Sequence, residues 1–181
     1  MKDAGANLKR NFILQQGFDD PPPESCGVQY PALLFQPRIV LATVVVGILL
    51  QSAILFLILS AVLWWSALFP RWNPFDAVFN ATFGNRPGAF RLTPAPPPRR
   101  FAQGMAGTFA LAVGIFLLLG WRVAAFVVEA FFLAAALAIG LGGFCLGSFT
   151  FHLLCGRASF ALHTLPWARG GFPVARTVRR R

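Results

Sequence analysis

Two long stretches almost empty of charge constrain this chain more than any other feature: residues 39–69 and 101–155. A helix packed on the surface of a soluble core is apolar on one stripe only, and a buried strand run is short. A segment apolar on all sides over these lengths suits a helix whose solvent is lipid. Only 12% of residues are charged and 56% are hydrophobic, so a soluble domain with a polar surface is a poor fit. The expected fold is all-α: a polytopic membrane helical bundle of about four transmembrane helices, two of them paired as a short hairpin.

The first block lies between Pro37-Arg38 and Pro70-Arg71. Its 31 residues would make one helix of about 46 Å, against a hydrocarbon core of roughly 30 Å. Gln51-Ser52 is its only adjacent polar pair, so it reads as one tilted helix or as two short helices with Gln51 and Ser52 at the tip. The second block breaks at Gly120-Trp121-Arg122, a flexible residue followed by an interfacial ring and a charge. Beyond it, Gly140, Gly142 and Gly143 predict a bend, with 144–155 running on along the interface. The predicted layout is therefore a cytoplasmic N-terminal segment 1–37, a hairpin 38–69, a loop 70–100, helices three and four within 101–155, and a basic tail 156–181.

Charge favours the hairpin. The net charge is +10, and its carriers lie outside the apolar blocks, as the positive-inside rule describes, so nucleic acid is not the expected partner. With a hairpin, the N-terminal segment, central loop and tail share one side and hold 15 of the 16 basic residues; only Arg122 lies opposite. That places both termini in the cytoplasm. Trp64, Trp65, Trp72 and Trp121 fall at span ends, where amphipathic rings sit at headgroup level. The loop 70–100, rich in Pro, Asn and Gly, is expected to be extended or irregular. The tail Arg179-Arg180-Arg181 suits anionic lipid headgroups.

Five segments carry a resemblance: Asn11-Phe12-Ile13-Leu14-Gln15-Gln16-Gly17-Phe18, Leu50-Gln51-Ser52, Pro70-Arg71-Trp72-Asn73-Pro74-Phe75-Asp76, Arg100-Phe101-Ala102-Gln103-Gly104, and Gly143-Phe144-Cys145-Leu146-Gly147. Their order and spacing, from Phe12 to Leu154, resemble an uncharacterised family of small bacterial membrane proteins, domain of unknown function 4395. The resemblance implies a bacterial four-helix membrane protein with no established activity. The family's last motif usually reads Phe-Cys-x-Gly-Cys, a thiol pair suited to redox or sulfur-transfer chemistry. Here Ser148 stands in place of the second cysteine, which leaves Cys145 without a resolving partner.

The remaining candidates each have a plain structural reading beside a functional one. Gly143 and Gly147 bracket Cys145 at GxxxG spacing, a notch for close helix packing, with the thiol itself as a redox or sulfur-carrying alternative. Gly104, Gly107 and Gly114 form a small-residue stripe on the third helix, for packing within the chain or against a partner. Glu129 is the only carboxylate inside an apolar block. It reads as a buried charge near Arg122, two turns earlier, or as the single acid of a small transporter. His152 is a candidate ligand for haem or a chlorophyll-type pigment, and otherwise a hydrogen-bonded structural histidine. The three cysteines form no CxxC pair or Cys/His cluster, so no metal site is expected and the cofactor, if any, stays open. The combined expectation is a non-catalytic accessory or scaffold subunit of a larger bacterial inner-membrane assembly, bioenergetic complexes among them. Its partners would be lipids and other membrane subunits. Thiol chemistry at Cys145 and transport through Glu129 are the alternatives.

Overall fold

A computed structural model describes residues 2–84 and 90–168. Among the described residues every regular element is helical: α1 Lys2–Gln15, α2 Pro23–Leu33, α3 Phe35–Leu50, α4 Ala53–Leu68, a 3₁₀ turn Pro70–Trp72, α5 Pro74–Thr82, α6 Pro97–Leu118, α7 Arg122–Gly140, α8 Leu146–Leu154 and α9 Ala158–His163. Arg86 and the tail from Arg169 to Arg181, with its three terminal arginines, lie outside the described residues.

Three helical runs are long and apolar enough to cross a membrane: Glu24–Leu50, Pro97–Leu118 and Arg122–Gly140; Ala53–Leu68 is apolar but shorter. The first begins well inside the segment expected to be non-spanning. Pro37 suggested a boundary, yet the joint between α2 and α3, Leu34, has helical angles (φ −80°, ψ −9°). Pro37 falls in the first turn of α3, where a missing N–H breaks no intrahelical bond. The central loop also departs from expectation. It folds α5, with Asn73 as its N-cap accepting from the Phe75 N–H at 3.0 Å and Pro74 at the first position.

The long helices pack antiparallel around one core of Val44, Phe56, Leu63, Ala110, Val113 and Phe132. Glycines set the α4–α6 contact. A Cβ on Gly107 would lie 2.8 Å from Cδ1 of Trp64, and one on Gly114 would lie 2.8 Å from Cδ2 of Leu57. Between them Ser60 donates to the Gly107 carbonyl at 2.8 Å. The stripe is therefore filled by this chain's own α4. On the other side, Leu41 of α3 sits against Gly140 of α7, and Phe109 of α6 stacks on Phe132 of α7 with centroids 6.0 Å apart.

Between α3 and α4 the chain turns at Gln51, which takes left-handed angles (φ 45°), and at Ser52, whose hydroxyl caps α4. This turn is level with Gly114 on α6 and Glu129 on α7. Gly114 is six residues before the α6–α7 turn at Gly120, and Glu129 is seven residues after Arg122, where α7 begins, roughly 10 Å at 1.5 Å per residue. The bundle is thus stepped at one end. At the other end a second core gathers Phe12, Ile13, Leu33, Leu34, Leu92 and Cys145 from α1, α2 and the chain segments before α6 and α8.

Candidate functional site

Four of the five resemblance segments meet at that second end. Gln36, in the first turn of α3, holds the centre. Its Oε1 accepts from Gln103 Nε2 at 2.9 Å, Arg99 Nη2 at 3.2 Å and, more distantly, Asn73 Nδ2 at 3.5 Å. Arg99 also donates to Asp76 Oδ1 at 3.0 Å, and Asn73 donates to Asp76 Oδ2 at 3.0 Å. Ser66 of α4 closes the network onto Asn73 Oδ1 at 3.2 Å. Arg99 and Asp76 side chains are 5% and 9% exposed, so this ion pair is largely out of solvent. Burial pushes the Asp76 carboxyl above its ordinary range, and the Arg99 guanidinium and the Asn73 amide only partly offset it. A buried charge pair persists only with such additional hydrogen bonds. The sequence reading missed this network, because Gln36, Asp76 and Arg99 lie in segments read as non-spanning.

Beside the network lies a cavity of about 100 Å³. Its walls are apolar, including Val40, Phe109, Phe132 and Ile139, and its polar lining comes from Gln16, Gln36, Arg99, Gln103 and Cys145. Three of these carry a buried atom with no hydrogen-bond partner: Gln16 Nε2, Arg99 Nη1 and Gln103 Oε1. Unpaired buried polar atoms are uncommon in folded proteins and ask for an explanation.

Cys145 is buried and caps α8, its Sγ accepting from the Ser148 N–H at 3.5 Å. Its own N–H donates to Gln15 Oε1 at 2.9 Å. The expected helical GxxxG notch is corrected here. Gly143 lies in the α7–α8 turn with φ +62°, where a Cβ would meet the Tyr30 hydroxyl at 2.6 Å. Only Gly147 is in helix, against Ala102 of α6 at 2.7 Å. Both glycines permit close approach, to different neighbours. Ser148, in the first turn of α8, donates to the Pro98 carbonyl at 3.3 Å.

His152 is also buried. Its Nε2 lies 3.1 Å from the Gln15 carbonyl oxygen, and Phe160 packs on its ring at 4.7 Å. Burial lowers its pKa, so the neutral imidazole, with Nε2–H donating, ties α8 to the end of α1. Nδ1 has no partner. The buried-charge pairing of Arg122 with Glu129 is corrected as well. Glu129 is 2% exposed, but its carboxylate takes the Gln51 amide at 3.2 Å to each oxygen. Arg122 is exposed, since two turns of helix leave its guanidinium beyond the α3–α4 turn. No cluster of three or more potential metal ligands exists among the described residues.

All-helical architecture with three membrane-length helices defines a multi-helix membrane protein. Residues 28–155 match the family described as Domain of unknown function (DUF4395), and the chain belongs to it. No curated protein and no solved structure matches the chain.

Proposed function

We propose that this protein is a non-catalytic accessory subunit of a larger bacterial inner-membrane assembly, crossing the membrane four times with α3 and α4 as a hairpin. Both termini and the central loop then face the cytoplasm. The charge split and the end of the bundle that gathers α1, α5 and α8 support this orientation. One observation carries the subunit reading. The α3–α4 turn stops roughly 10 Å short of the α6–α7 turn, and it leaves Gln51 exposed beside Leu49, Leu50 and Ile54, which are 78%, 68% and 69% exposed. The turn caps α3 itself, Ser52 N–H donating to the Gly47 carbonyl at 3.2 Å and Gln51 Nε2 to the Ile48 carbonyl at 2.9 Å, so what the step offers a partner is its apolar flank. A segment of another subunit seated in the step would cover that flank.

Purification in a mild detergent with photocrosslinkers at Leu50 and Ile54 tests this. A crosslinked membrane protein recovered stoichiometrically supports the reading; crosslinks to lipid alone remove it. A second reading, thiol chemistry at Cys145, draws on the placement of that side chain in the cavity lining beside Arg99. Glu129 as a transport acid has less support, since Gln51 already occupies both of its oxygens.

A further inference from the structure

We propose that the cavity beside Arg99 takes the carboxyl head of a single-chain fatty acid drawn from the surrounding bilayer. This goes beyond the subunit reading and does not depend on it. The chemistry of the lining selects the head. Gln16 Nε2 and Arg99 Nη1 are donors, Gln103 Oε1 is an acceptor, and all three lack partners on side chains 3%, 4% and 5% exposed. A carboxyl group matches that set: its oxygens accept from the two donors, and its proton, when present, goes to Gln103. Arg99 lies in the first turn of α6, where the helix dipole also favours an anion.

Volume selects a chain over a ring. An enclosed apolar cavity of about 150 Å³ holds one benzene, and this one measures about 100 Å³, enough for a carboxyl and its first methylenes. The rest of the chain needs a way out to lipid. Among the lining residues, Leu146 is exposed and Met105, Ala135 and Ile139 are half-buried, so the cavity opens sideways between α6, α7 and the start of α8. Depth agrees: the polar floor sits at the basic end of the bundle, where lipid carboxyl groups reside, while the apolar walls continue inward.

The test is equilibrium binding of radiolabelled palmitic acid to the full chain in phosphatidylcholine nanodiscs, with empty nanodiscs subtracted. Saturable binding at one molecule per chain is expected, with hexadecanol competing at least tenfold more weakly. Gln16→Leu should weaken binding at least fivefold while leaving thermal stability unchanged or raised, because it removes an unpaired buried donor. Uptake no greater than in empty nanodiscs would mean that the cavity holds water only, and would overturn the proposal. Equal competition by hexadecanol, or full binding in Gln16→Leu, would overturn it as well.

Discussion

Replacing Asp76 by Leu removes the only carboxylate that faces Arg99 among the described residues, and the surroundings set the cost. The guanidinium is 5% exposed and would retain only the Gln36 oxygen at 3.2 Å. Stranding a buried charge in this way costs about 3–5 kcal/mol. Arg99→Met should cost a similar amount at pH 8, where Asp76 is left with Asn73 alone. The two variants should then diverge with pH. Asp76 already binds its proton more readily than a free carboxyl, and without Arg99 it will do so further. The Arg99→Met deficit therefore shrinks as pH falls from 8 to 5. The Asp76→Leu deficit does not, because a guanidinium stays charged throughout. The double variant should recover most of the loss, costing about 1 kcal/mol and so giving a coupling of about 5–9 kcal/mol, since an apolar pair of similar size leaves no charge unpaired. Unfolding of the detergent-solubilised chain, followed by the fluorescence of its five tryptophans, measures all three. Additivity within about 0.5 kcal/mol, or parallel pH profiles, would refute the argument.

Gly107→Ala should destabilise by about 1–3 kcal/mol, because its Cβ would meet Trp64 at 2.8 Å, whereas Gly104→Ala, with Trp64 at 3.6 Å, should be neutral or slightly stabilising in the same assay. Ser148→Cys should form a disulfide with Cys145 under mild oxidant, since the two positions bracket the first turn of α8 and the Ser148 N–H already touches Sγ; alkylation mass shifts would show both thiols free if that geometry is wrong. Folded His152 resists protonation while the unfolded chain takes a proton near its ordinary value, so wild-type stability should fall as pH drops through about 6.5. His152→Gln should flatten that slope, and an unchanged slope would assign it elsewhere. A cysteine at Gln51 should react far more slowly with an impermeant maleimide than one at Trp121, and equal rates would place the α3–α4 turn at the surface.

The membrane class was legible because it rests on run length and charge, which no tertiary contact can reverse. The break at Gln51-Ser52 was legible for the same reason: a polar pair interrupts an otherwise apolar run, and Ser52 is a natural cap. Pro37 misled, because proline stops a helix only where its missing N–H matters. The polar cluster was out of reach. Gln36 and Gln103 lie 67 positions apart, and nothing in their local sequence says that both face inward. Gly143 and Gly147 stood out as residues, but their spacing describes two geometries, a helical stripe and a capped turn. Only the fold, by ending α7 at Gly140, selects the second.

The Gln36 side-chain oxygen accepts from donors on α6 and from Asn73 just before α5, and that has a consequence in time. During synthesis the helix carrying Gln36 leaves the ribosome first. Its partners Arg99 and Gln103 follow more than 60 residues later, which at about 5–20 residues per second takes roughly 3–13 s. For that interval the Gln36 amide stands at the mouth of an unfinished bundle with Asn73 the only one of these partners yet made. The network closes only after α6 has entered, so an insertion machinery or chaperone that recognises unpaired polar groups would see Gln36 until the third long helix is in place.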